Sequence, residues 1–380
     1  MNQRNAQQLA PSPWHAPTGV FHMNTHSTSA PADAETVAGF SHSAHKLDAP
    51  PVGRLPLPYP NGWFAACFSD ELKSSSVLRV PFMGQELVLY RTKSGQARAI
   101  NPYCPHLGAH LGYGGRVDGE NLICPFHGFV YGPDGACLRT CDNGKPPTIA
   151  LSQHFARELN GVIFVWRDDQ GRAPFWELPA HDESGYSQHL NYAHELSGFS
   201  MDMTENAADV KHFAYLHRLP IVSFNYEEEK YRTTYSLKIK TTRILGESGT
   251  LRMTIYGVGY LVNETLFDKL GLVIRAWAFG TQTQPLSWTF RVVITIHNKH
   301  IARLPRAFRR LAYALPLRLI QRWFIGVARQ DYPVWGNRRF IRYPKLAKGE
   351  VSMAAYRRWA AQFYPNLADE TIPTPAGNKE

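Results

Sequence analysis

The sequence predicts an α+β protein, in which a small all-β domain precedes a larger domain with an antiparallel sheet wrapped around helices. Short apolar segments separated by turn residues fill the region between residues 61 and 166. Longer stretches with alternating apolar and polar residues follow residue 174. Helical segments at 204–217 and 304–329 interrupt that second region, so the second half should be a mixed domain.

The first domain is predicted as a run of short strands. Turn residues such as Ser94 with Gly95 separate the strands, because glycine tolerates the backbone angles that tight turns need. The turn-forming residues around Gly171 and Pro174 mark its end. The expected strands lie at 77–80, 86–90, 97–100, 121–123, 149–151 and 162–166.

The second domain is predicted to combine a broad antiparallel sheet with helices. A helix is expected at 204–217, and one or two helices at 304–329, with a break or kink near Pro316. The alternation of apolar and polar residues predicts strands at 192–198, 231–244, 250–262, 272–279 and 288–296.

The length and composition indicate two domains behind a tail. The 380 residues are enough for a domain at 53–175 and a second at 176–370. Residues 1–52 are rich in Ser, Thr, Ala, Pro, His and Gln and show no apolar period, so a disordered tail is expected. No secretory signal and no apolar run of membrane-spanning length is visible. With an odd number of five cysteines, these features predict a reduced, cytoplasmic setting.

Two cysteines and two histidines form the most specific motif. The first arm pairs Cys104 with His106, and the second arm, after seventeen intervening residues, pairs Cys124 with His127. Thiolates suit one iron of a [2Fe–2S] cluster, and imidazoles suit the other, so each arm would supply one ligand to each iron. The motif resembles that of the Rieske iron–sulfur proteins.

Two other kinds of site use a similar ligand set. A structural zinc site also uses two cysteines and two histidines, but it usually separates them into a Cys pair and a His pair. Rieske proteins of respiratory complexes carry an additional cysteine after each arm, where Ala109 and Pro125 stand here. The absence of those cysteines resembles the Rieske oxygenases, which carry a second iron centre.

The segment around His212 is similar to the mononuclear-iron motif of that family. Five residues separate His212 from His217, a rotation of about 140° on a regular helix, so the chain must leave helical geometry for both to bind one ion. Taken alone, two histidines on a helix would be unremarkable. The resemblance implies that both are iron ligands. It also implies that Asp209 accepts a hydrogen bond from His212 and from a cluster histidine of a neighbouring subunit.

The third iron ligand must come from far along the chain. Asp331 follows the long predicted helix and precedes Val334 and Trp335, where the family places its carboxylate. Two histidines and one carboxylate make the facial triad of non-haem Fe(II) oxygenases. The alternative is an ordinary aspartate at a helix terminus, or one paired with a nearby arginine.

The resemblance implies an enzyme that activates O₂ at Fe(II) with electrons from its cluster. No flavin or nicotinamide motif is present, so the electrons should come from NAD(P)H through a separate ferredoxin, ferredoxin reductase or both. The family also implies a homotrimer. Hydroxylation, desaturation and oxidative cyclisation are all open. The alternative function is an electron-transfer protein that uses the cluster alone.

The expected substrate is a bulky hydrophobic small molecule. Apolar and aromatic residues fill 255–262 and 266–279, although most of them should be sheet core. The long middle region resembles the branch of Rieske oxygenases that acts on sterols or on prodiginine-like pigments. It does not resemble the two-subunit ring dioxygenases that act on small arenes.

Much of the net charge of +10 lies between His300 and Arg342. No nucleic-acid fold signature accompanies it, so nucleic acid is not expected as a partner. The arginines could form a docking face for an acidic ferredoxin or for an anionic membrane surface, which would place the protein at the membrane periphery. The third interpretation is a solvated helix face whose Leu and Trp side chains point inward. The residues concerned are Arg303, Arg306, Arg309, Arg310, Arg318 and Arg322.

Overall fold

The fold is described from a computed structural model over residues 57–239 and 248–365. The tail predicted for residues 1–52 lies outside the described residues, as does the end of the strand predicted at 231–244. The described strands and helices have the α+β arrangement that the sequence predicts, with small sheets first and one large antiparallel sheet afterwards.

The first region contains three small antiparallel sheets, with strand orders β1-β11-β10, β2-β3-β4-β9 and β5-β6-β7-β8. The first cysteine–histidine arm follows β4, and the second connects β6 to β7. The strands are β1 (Gly62–Phe68), β2 (Val77–Phe82), β3 (Gln85–Arg91), β4 (Ala97–Ile100), β5 (Arg116–Asp118), β6 (Asn121–Ile123), β7 (Val130–Tyr131), β8 (Cys137–Arg139), β9 (Gln153–His154), β10 (Ala156–Leu159) and β11 (Val162–Arg167).

One predicted strand of this region is wrong. Residues 149–151 contribute a single isolated bridge, between Ala150 and Ala136, and the regular strand β9 begins only afterwards. A local turn accounts for this, because the backbone N–H of Ile149 donates to the carbonyl of Pro147 (2.9 Å). That N–H is therefore unavailable to a strand ladder.

The second region is built on one seven-stranded antiparallel sheet with the order β12-β18-β17-β16-β15-β14-β13. Strands β14 and β15 alternate buried residues with half-buried or exposed ones, as expected where one face of the sheet meets the core, whereas most of β17 is buried on both faces. The strands are β12 (Leu190–Ser197), β13 (Ile221–Glu228), β14 (Arg232–Ile239), β15 (Gly249–Tyr256), β16 (Tyr260–Phe267), β17 (Leu272–Gln284) and β18 (Ser287–Asn298).

Two details of this sheet differ from the sequence-based expectation. The stretch at 250–262 is not one strand, because the chain turns at Gly257, whose φ of +60° suits glycine, and so separates β15 from β16. The edge strand β13 was not predicted. Most of its residues are exposed, so its sequence lacks the alternation that marks a half-buried strand.

The two regions pack closely rather than being joined by a loose linker. The backbone N–H groups of Met83 and Gly84 donate to carbonyls of β17, at Gln282 and Thr283 (2.9 Å each). Side chains of both regions share the same hydrophobic clusters, such as Trp63 of β1 with Trp277 of β17. The first region, which carries the metal-binding arms, is thus packed directly against the large sheet of the second region.

The helices of the second region cover one face of the sheet and its ends. The segment predicted as one helix at 204–217 is two, and the segment at 304–329 is one continuous helix that contains Pro316. The described helices are α1 (Met201–Ala208), α2 (Val210–Tyr215), α3 (Arg306–Ala328), α4 (Tyr332–Asn337) and α5 (Val351–Ala361), with a short 3₁₀ helix at Ile301–Arg303.

Helix α3 turns large apolar side chains outward, which contradicts the interpretation that its Leu and Trp residues point inward. Tyr313 and Leu317 are buried against the sheet, whereas Leu311, Leu315 and Trp323 are exposed. The helix therefore has two apolar faces, and only one of them belongs to the core. Within the described residues, no helix combines the length and the apolarity that crossing a bilayer requires.

Candidate metal centres

The two cysteine–histidine arms fold as the same tight turn. In the first arm, the N–H of Gly108 donates to the carbonyl of Cys104 (2.9 Å). In the second arm, Gly128 donates in the same way to Cys124 (3.1 Å). Both glycines adopt a positive φ, +74° and +64°, which an L side chain adopts only with strain. The repeated turn presents each cysteine with its histidine on the same side of a loop.

The structure brings the four side chains together, with the two thiols beside each other and the two imidazoles beside each other. The thiols of Cys104 and Cys124 are buried and lie within hydrogen-bonding reach of each other. The rings of His106 and His127 lie 4.9 Å apart and are partly exposed. A two-iron cluster needs this division into a thiolate pair and an imidazole pair, so the arrangement fits a [2Fe–2S] group.

Two aromatic residues support these side chains. The hydroxyl of Tyr131 lies 3.0 Å from the sulfur of Cys104, and burial followed by this contact raises the pKa of Tyr131 above its ordinary value. Tyr131 therefore stays protonated and can donate to the thiolate, as groups around iron–sulfur clusters do when they tune the potential. Phe129 stacks on His106 with ring centres 4.3 Å apart, which fixes the orientation of that imidazole.

A second group of ligand-type side chains forms where α2 meets the segment after α3. One ligand atom from each of His212, His217 and Asp331 lies within 4.8 Å of the others. The Nε2 atom of His217 is 3.3 Å from Oδ2 of Asp331, and the two imidazole rings are 5.0 Å apart. Two imidazoles and one carboxylate at this separation fit the facial triad of a mononuclear iron.

The end of α2 explains how both histidines reach one point. The helix stops at Tyr215, so His217 lies beyond it, as the spacing predicts. The next residue, Arg218, has a φ of +54°, an unusual left-handed conformation for a residue with a side chain. The backbone N–H of His217 donates to the carbonyl of His212 (3.4 Å), five residues earlier, so this last turn is wider than a regular helical turn and keeps the two histidines close.

Each of these three side chains is oriented by a hydrogen bond to a residue outside the group. Nδ1 of His212 lies 2.5 Å from the backbone oxygen of Asp209, and Nδ1 of His217 lies 3.0 Å from Oε1 of Gln330. Both acceptors require an Nδ1–H, so both histidines keep Nε2 free to bind a metal. Nδ2 of Asn206 donates to Oδ1 of Asp331 (3.0 Å), which leaves Oδ2 facing the histidines.

Asp209 begins α2 instead of bonding the ring of His212 through its carboxylate. Oδ1 accepts from the backbone N–H groups of Lys211 (3.1 Å) and His212 (3.3 Å), as a helix-capping aspartate does. The His212 ring contacts the backbone carbonyl of Asp209. The expected link between Asp209 and this histidine therefore exists, but it runs through the main chain.

The titration behaviour of the two histidines suits a cation site. Burial lowers the pKa of His212, which favours the neutral imidazole that binds metals. Burial also acts to lower the pKa of His217, but the hydrogen bond and charge of Asp331 outweigh it and raise that pKa. A divalent cation between His217 and Asp331 would take the place of the shared proton.

A cavity of about 370 Å³ opens directly onto these three side chains. Its volume lies within the usual range for small-molecule sites. Helices α2 and α3 and the strands β15, β16 and β17 form its walls, and most of its side chains are apolar. Asn263 and Thr265 place polar groups on the same face of β16 toward the cavity.

Sequence reasoning missed Gln330 and the contribution of α3 to the cavity wall. Gln330 could have been suspected only as the neighbour of Asp331, because nothing in its sequence context links it to His217. Asn206 lies six residues before His212, but its partner Asp331 is distant in sequence. These contacts depend on tertiary packing.

Comparisons with known domains agree with this geometry. The family described as the Rieske [2Fe-2S] domain matches residues 62–154. The family described as the 3-ketosteroid 9alpha-hydroxylase C-terminal domain matches residues 165–364, more than half of the chain.

Two relatives match most of the chain. A cholesterol 7-desaturase of Ciona intestinalis is 29% identical over 362 residues, which cover 85% of this chain and 73% of the relative. A probable 3-ketosteroid-9-alpha-monooxygenase oxygenase component of Rhodococcus rhodochrous is 25% identical over 341 residues, 84% of this chain and 83% of the relative.

Solved structures share the fold at lower identity. A Pseudomonas putida NdmA mutant with theobromine superimposes with a TM-score of 0.60 at 17% identity, covering 78% of this chain and 88% of the other. Dicamba monooxygenase bound to dicamba gives 0.58 at 16% identity, covering 80% of this chain and 97% of the other.

The domain matches and the two clustered sites together define a Rieske non-haem iron oxygenase. Within that class, the chain belongs to the family with the 3-ketosteroid 9α-hydroxylase C-terminal domain. An enzyme of this class uses a [2Fe–2S] cluster, Fe(II) and O₂, with electrons supplied by a separate ferredoxin or reductase. The alternative of a cluster-only electron carrier is not supported.

Proposed function

We propose that Cys104, His106, Cys124 and His127 hold the cluster and that His212, His217 and Asp331 hold the iron. The hydrogen bonds to the three iron-site side chains support this assignment, because each bond leaves one metal-binding atom free. The metals supply electron storage and O₂ activation. The protein supplies fixed ligands, a dry cavity and the position of the substrate.

The proposed substrate is a sterol or steroid. The observation that carries this proposal is the apolar cavity of about 370 Å³ that opens directly onto His212, His217 and Asp331. Its apolar walls, formed by side chains such as Leu251 and Phe290, suit a rigid hydrocarbon skeleton. The names of the two relatives, a cholesterol 7-desaturase and a probable 3-ketosteroid-9-alpha-monooxygenase component, support the same class.

A sterol also needs a place for its oxygen substituent. Asn263 and Thr265 lie on one strand face within the apolar wall and can hydrogen-bond a hydroxyl or carbonyl group. Such a contact would fix which ring carbon faces the metal. The substrate's polar end and its reacting carbon would then lie at different parts of the same cavity.

The proposal is tested by product analysis with a substrate panel. The reconstituted enzyme, with a ferredoxin and reductase, is given cholesterol, a 3-ketosteroid, an alkylated pyrrole and a small arene, and the products are identified by mass. We expect a product from a steroid, either hydroxylated or desaturated, and none from the arene. Turnover of the arene alone would contradict the proposed substrate class.

We also propose that the enzyme is a homotrimer in which the cluster of one subunit serves the iron of the next through Asp209. Large exposed side chains lie near both ends of this electron-transfer route. Leu107 and Phe126 lie beside the cluster ligands, and Tyr215 lies at the end of α2. Burying them against a second copy would explain their exposure in one chain. Light scattering should give the mass of three chains, and a monomer would contradict this assembly.

The remaining expectations belong to the same proposal. The domains extend over 53–175 and 176–370, and the enzyme works in a reducing setting such as the cytoplasm, where the three cysteines outside the cluster, Cys67, Cys137 and Cys141, stay reduced. Contact with a lipid surface is also proposed, because α3 turns large apolar side chains toward solvent.

A further inference from the structure

Helix α3 carries a row of large apolar side chains on its solvent side. This α3 stripe consists of Phe308, Leu311, Leu315, Leu319 and Trp323, which are 48 to 75% exposed. Spacings of three and four residues place all five on one side of the helix, within an arc of about 120°. An exposed apolar row of this length is unusual on a protein surface that meets only water.

The opposite face holds the helix firmly on the sheet. Tyr313 and Leu317 are fully buried, and the Tyr313 hydroxyl accepts from the N–H of Asn298 (2.8 Å) and donates to the carbonyl of Gly185 (3.1 Å). The stripe is therefore part of a fixed surface. A partner that binds it does not have to order the helix first.

Positive charge accompanies the stripe. Residues 299–329 include eight Lys and Arg residues and no Asp or Glu. Arg318 and Arg322 are exposed on α3 beside the stripe, whereas Arg310 is exposed nearer the opposite side of the helix. A helix with an apolar face and arginines beside it has the composition of helices that lie in the interface of an anionic membrane.

The stripe is continuous with the cavity. Leu319 and Trp323 belong to the exposed stripe and also line the cavity, beside Ile320 and Phe324. Two of the side chains that would touch a partner are thus also part of the wall of the substrate site. This continuity links the surface to the delivery of a hydrophobic molecule.

We propose that the α3 stripe docks on an anionic lipid surface, from which an apolar substrate enters the cavity past Leu319 and Trp323. This deepens the lipid contact named in the proposed function; the docking does not depend on the proposed substrate class, and only the identity of the molecule delivered rests on that class. The helix lies in the plane of the interface with its apolar row among the acyl chains and its arginines near the headgroup phosphates.

Other occupants fit the charges less well. A two-fold contact between copies would bring arginine-bearing faces together, because such an interface pairs the same patch with itself. An acidic electron donor must approach the cluster, which lies in the sheet β5-β6-β7-β8, whereas α3 packs on β12 and β18. A lipid surface satisfies both the apolar row and the arginines.

The test is flotation of the complete enzyme with phosphatidylcholine vesicles that contain or lack phosphatidylserine, at low and at high salt. Two variants address the two components. Phe308→Ser, Leu311→Ser and Leu315→Ser together remove exposed apolar groups that do not line the cavity. Arg318→Glu with Arg322→Glu reverses the charge beside the stripe.

Matched controls make similar changes on exposed residues of the first region, Leu138→Ser and Arg116→Glu. The visible absorption of the cluster and the mass by light scattering are recorded for every variant. These two readings show whether a variant is folded and whether its assembly has changed.

We expect the unmodified enzyme to float with anionic vesicles and to be released by salt. The triple serine variant should lose binding, and the charge reversal should weaken it by on the order of 30-fold or more, while both controls bind normally. Failure of the unmodified enzyme to bind, or equal binding by the α3 variants, would overturn the proposal. A change of mass in the α3 variants without a loss of vesicle binding would assign α3 to a contact with another copy instead.

Flotation requires no turnover. A failure here therefore leaves the proposed substrate class intact, and an inactive substrate panel would leave the docking surface intact.

Discussion

The two candidate metal centres are built in different ways. In the cluster site, Cys104 with His106 and Cys124 with His127 come from two short loops, each closed by its own glycine turn. In the iron site, the two histidines lie in α2 and just after it, whereas Asp331 lies just after the end of α3.

This difference determines what holds each site in shape. The cluster arms are ordered by hydrogen bonds within each loop, so the site depends mainly on local structure. The iron-site side chains are oriented by Asn206, Gln330 and the backbone of Asp209, which belong to different elements. Substitutions within the two loops should therefore be the main cause of cluster loss. The iron site should also be lost through substitutions that alter the packing between elements.

The largest effect is expected from Cys104→Ser. Loss of one thiolate should abolish the cluster, because each iron of such a cluster depends on two protein ligands. Cluster absorbance, acid-labile sulfide and all turnover should disappear, while the mononuclear iron remains. Cys141→Ser, at an exposed cysteine, is the control and should keep the cluster. An intact cluster in Cys104→Ser would show that the loop alone does not define the site.

Asp331→Asn should affect the other centre alone. The amide keeps the shape of the side chain but not the charge that a facial triad needs. We expect one iron per chain to be lost and turnover to stop, with unchanged cluster absorbance. The exposed Asp268→Asn is the matched control. Normal iron content in Asp331→Asn would remove this residue from the site.

Asn206→Ala should have a smaller effect on the same centre. It removes the 3.0 Å hydrogen bond that orients Asp331, and loss of such a partner typically weakens metal binding by about 10–100-fold. Titration of the iron-free protein with Fe(II) under anaerobic conditions measures the change. Asn225→Ala, on the exposed edge strand β13, should bind Fe(II) normally. Equal affinity in the two variants would contradict the orienting role.

Glu205→Gln should change stability rather than metal binding. Glu205 is buried in α1 and contacts Arg338 and Arg357, whose charges it balances together with Asp202. Breaking a buried pair of this kind costs about 3–5 kcal/mol, measured by urea unfolding at neutral pH. The surface pair of Glu229 and Arg232 provides the control, since Glu229→Gln should cost no more than about 1 kcal/mol.

The same glutamate predicts a dependence on pH. Burial acts to raise the pKa of Glu205, but the two arginines outweigh it and lower the pKa below the ordinary 4.5. A lowered folded-state pKa means that the stabilisation is present above pH 4.5 and is lost as the pH falls through the folded pKa. The stability difference between wild type and Glu205→Gln should shrink in that acidic range. A constant difference would contradict the charge balance.

The sequence was sufficient where the chemistry is local. The cluster ligands could be predicted because their spacing within two short loops carries the information. Asp331 could be predicted only with the family resemblance, since nothing nearby links it to His212. The hydrogen bond that His217 donates to Gln330 could not be predicted, because it joins segments that only the fold brings together.

Helix α3 shows a second limit. Its sequence has apolar residues on two faces, one with Tyr313 and Leu317 and the other with Leu311 and Trp323. Periodicity identifies the helix, but it does not say which face meets the sheet. The hydrogen bonds of the Tyr313 hydroxyl select one face, and those contacts are visible only in the folded chain.

The central claim is that each chain carries two iron centres, and that electrons entering at a cluster are used at the mononuclear iron of the neighbouring subunit. The most direct test is the iron content and cluster absorbance of His212→Ala beside those of the unmodified enzyme. We expect about three irons per chain in the unmodified enzyme, two in the cluster and one mononuclear. The variant should lose one iron and all turnover but keep the cluster spectrum. A His212→Ala enzyme with full iron content and normal turnover would contradict the account.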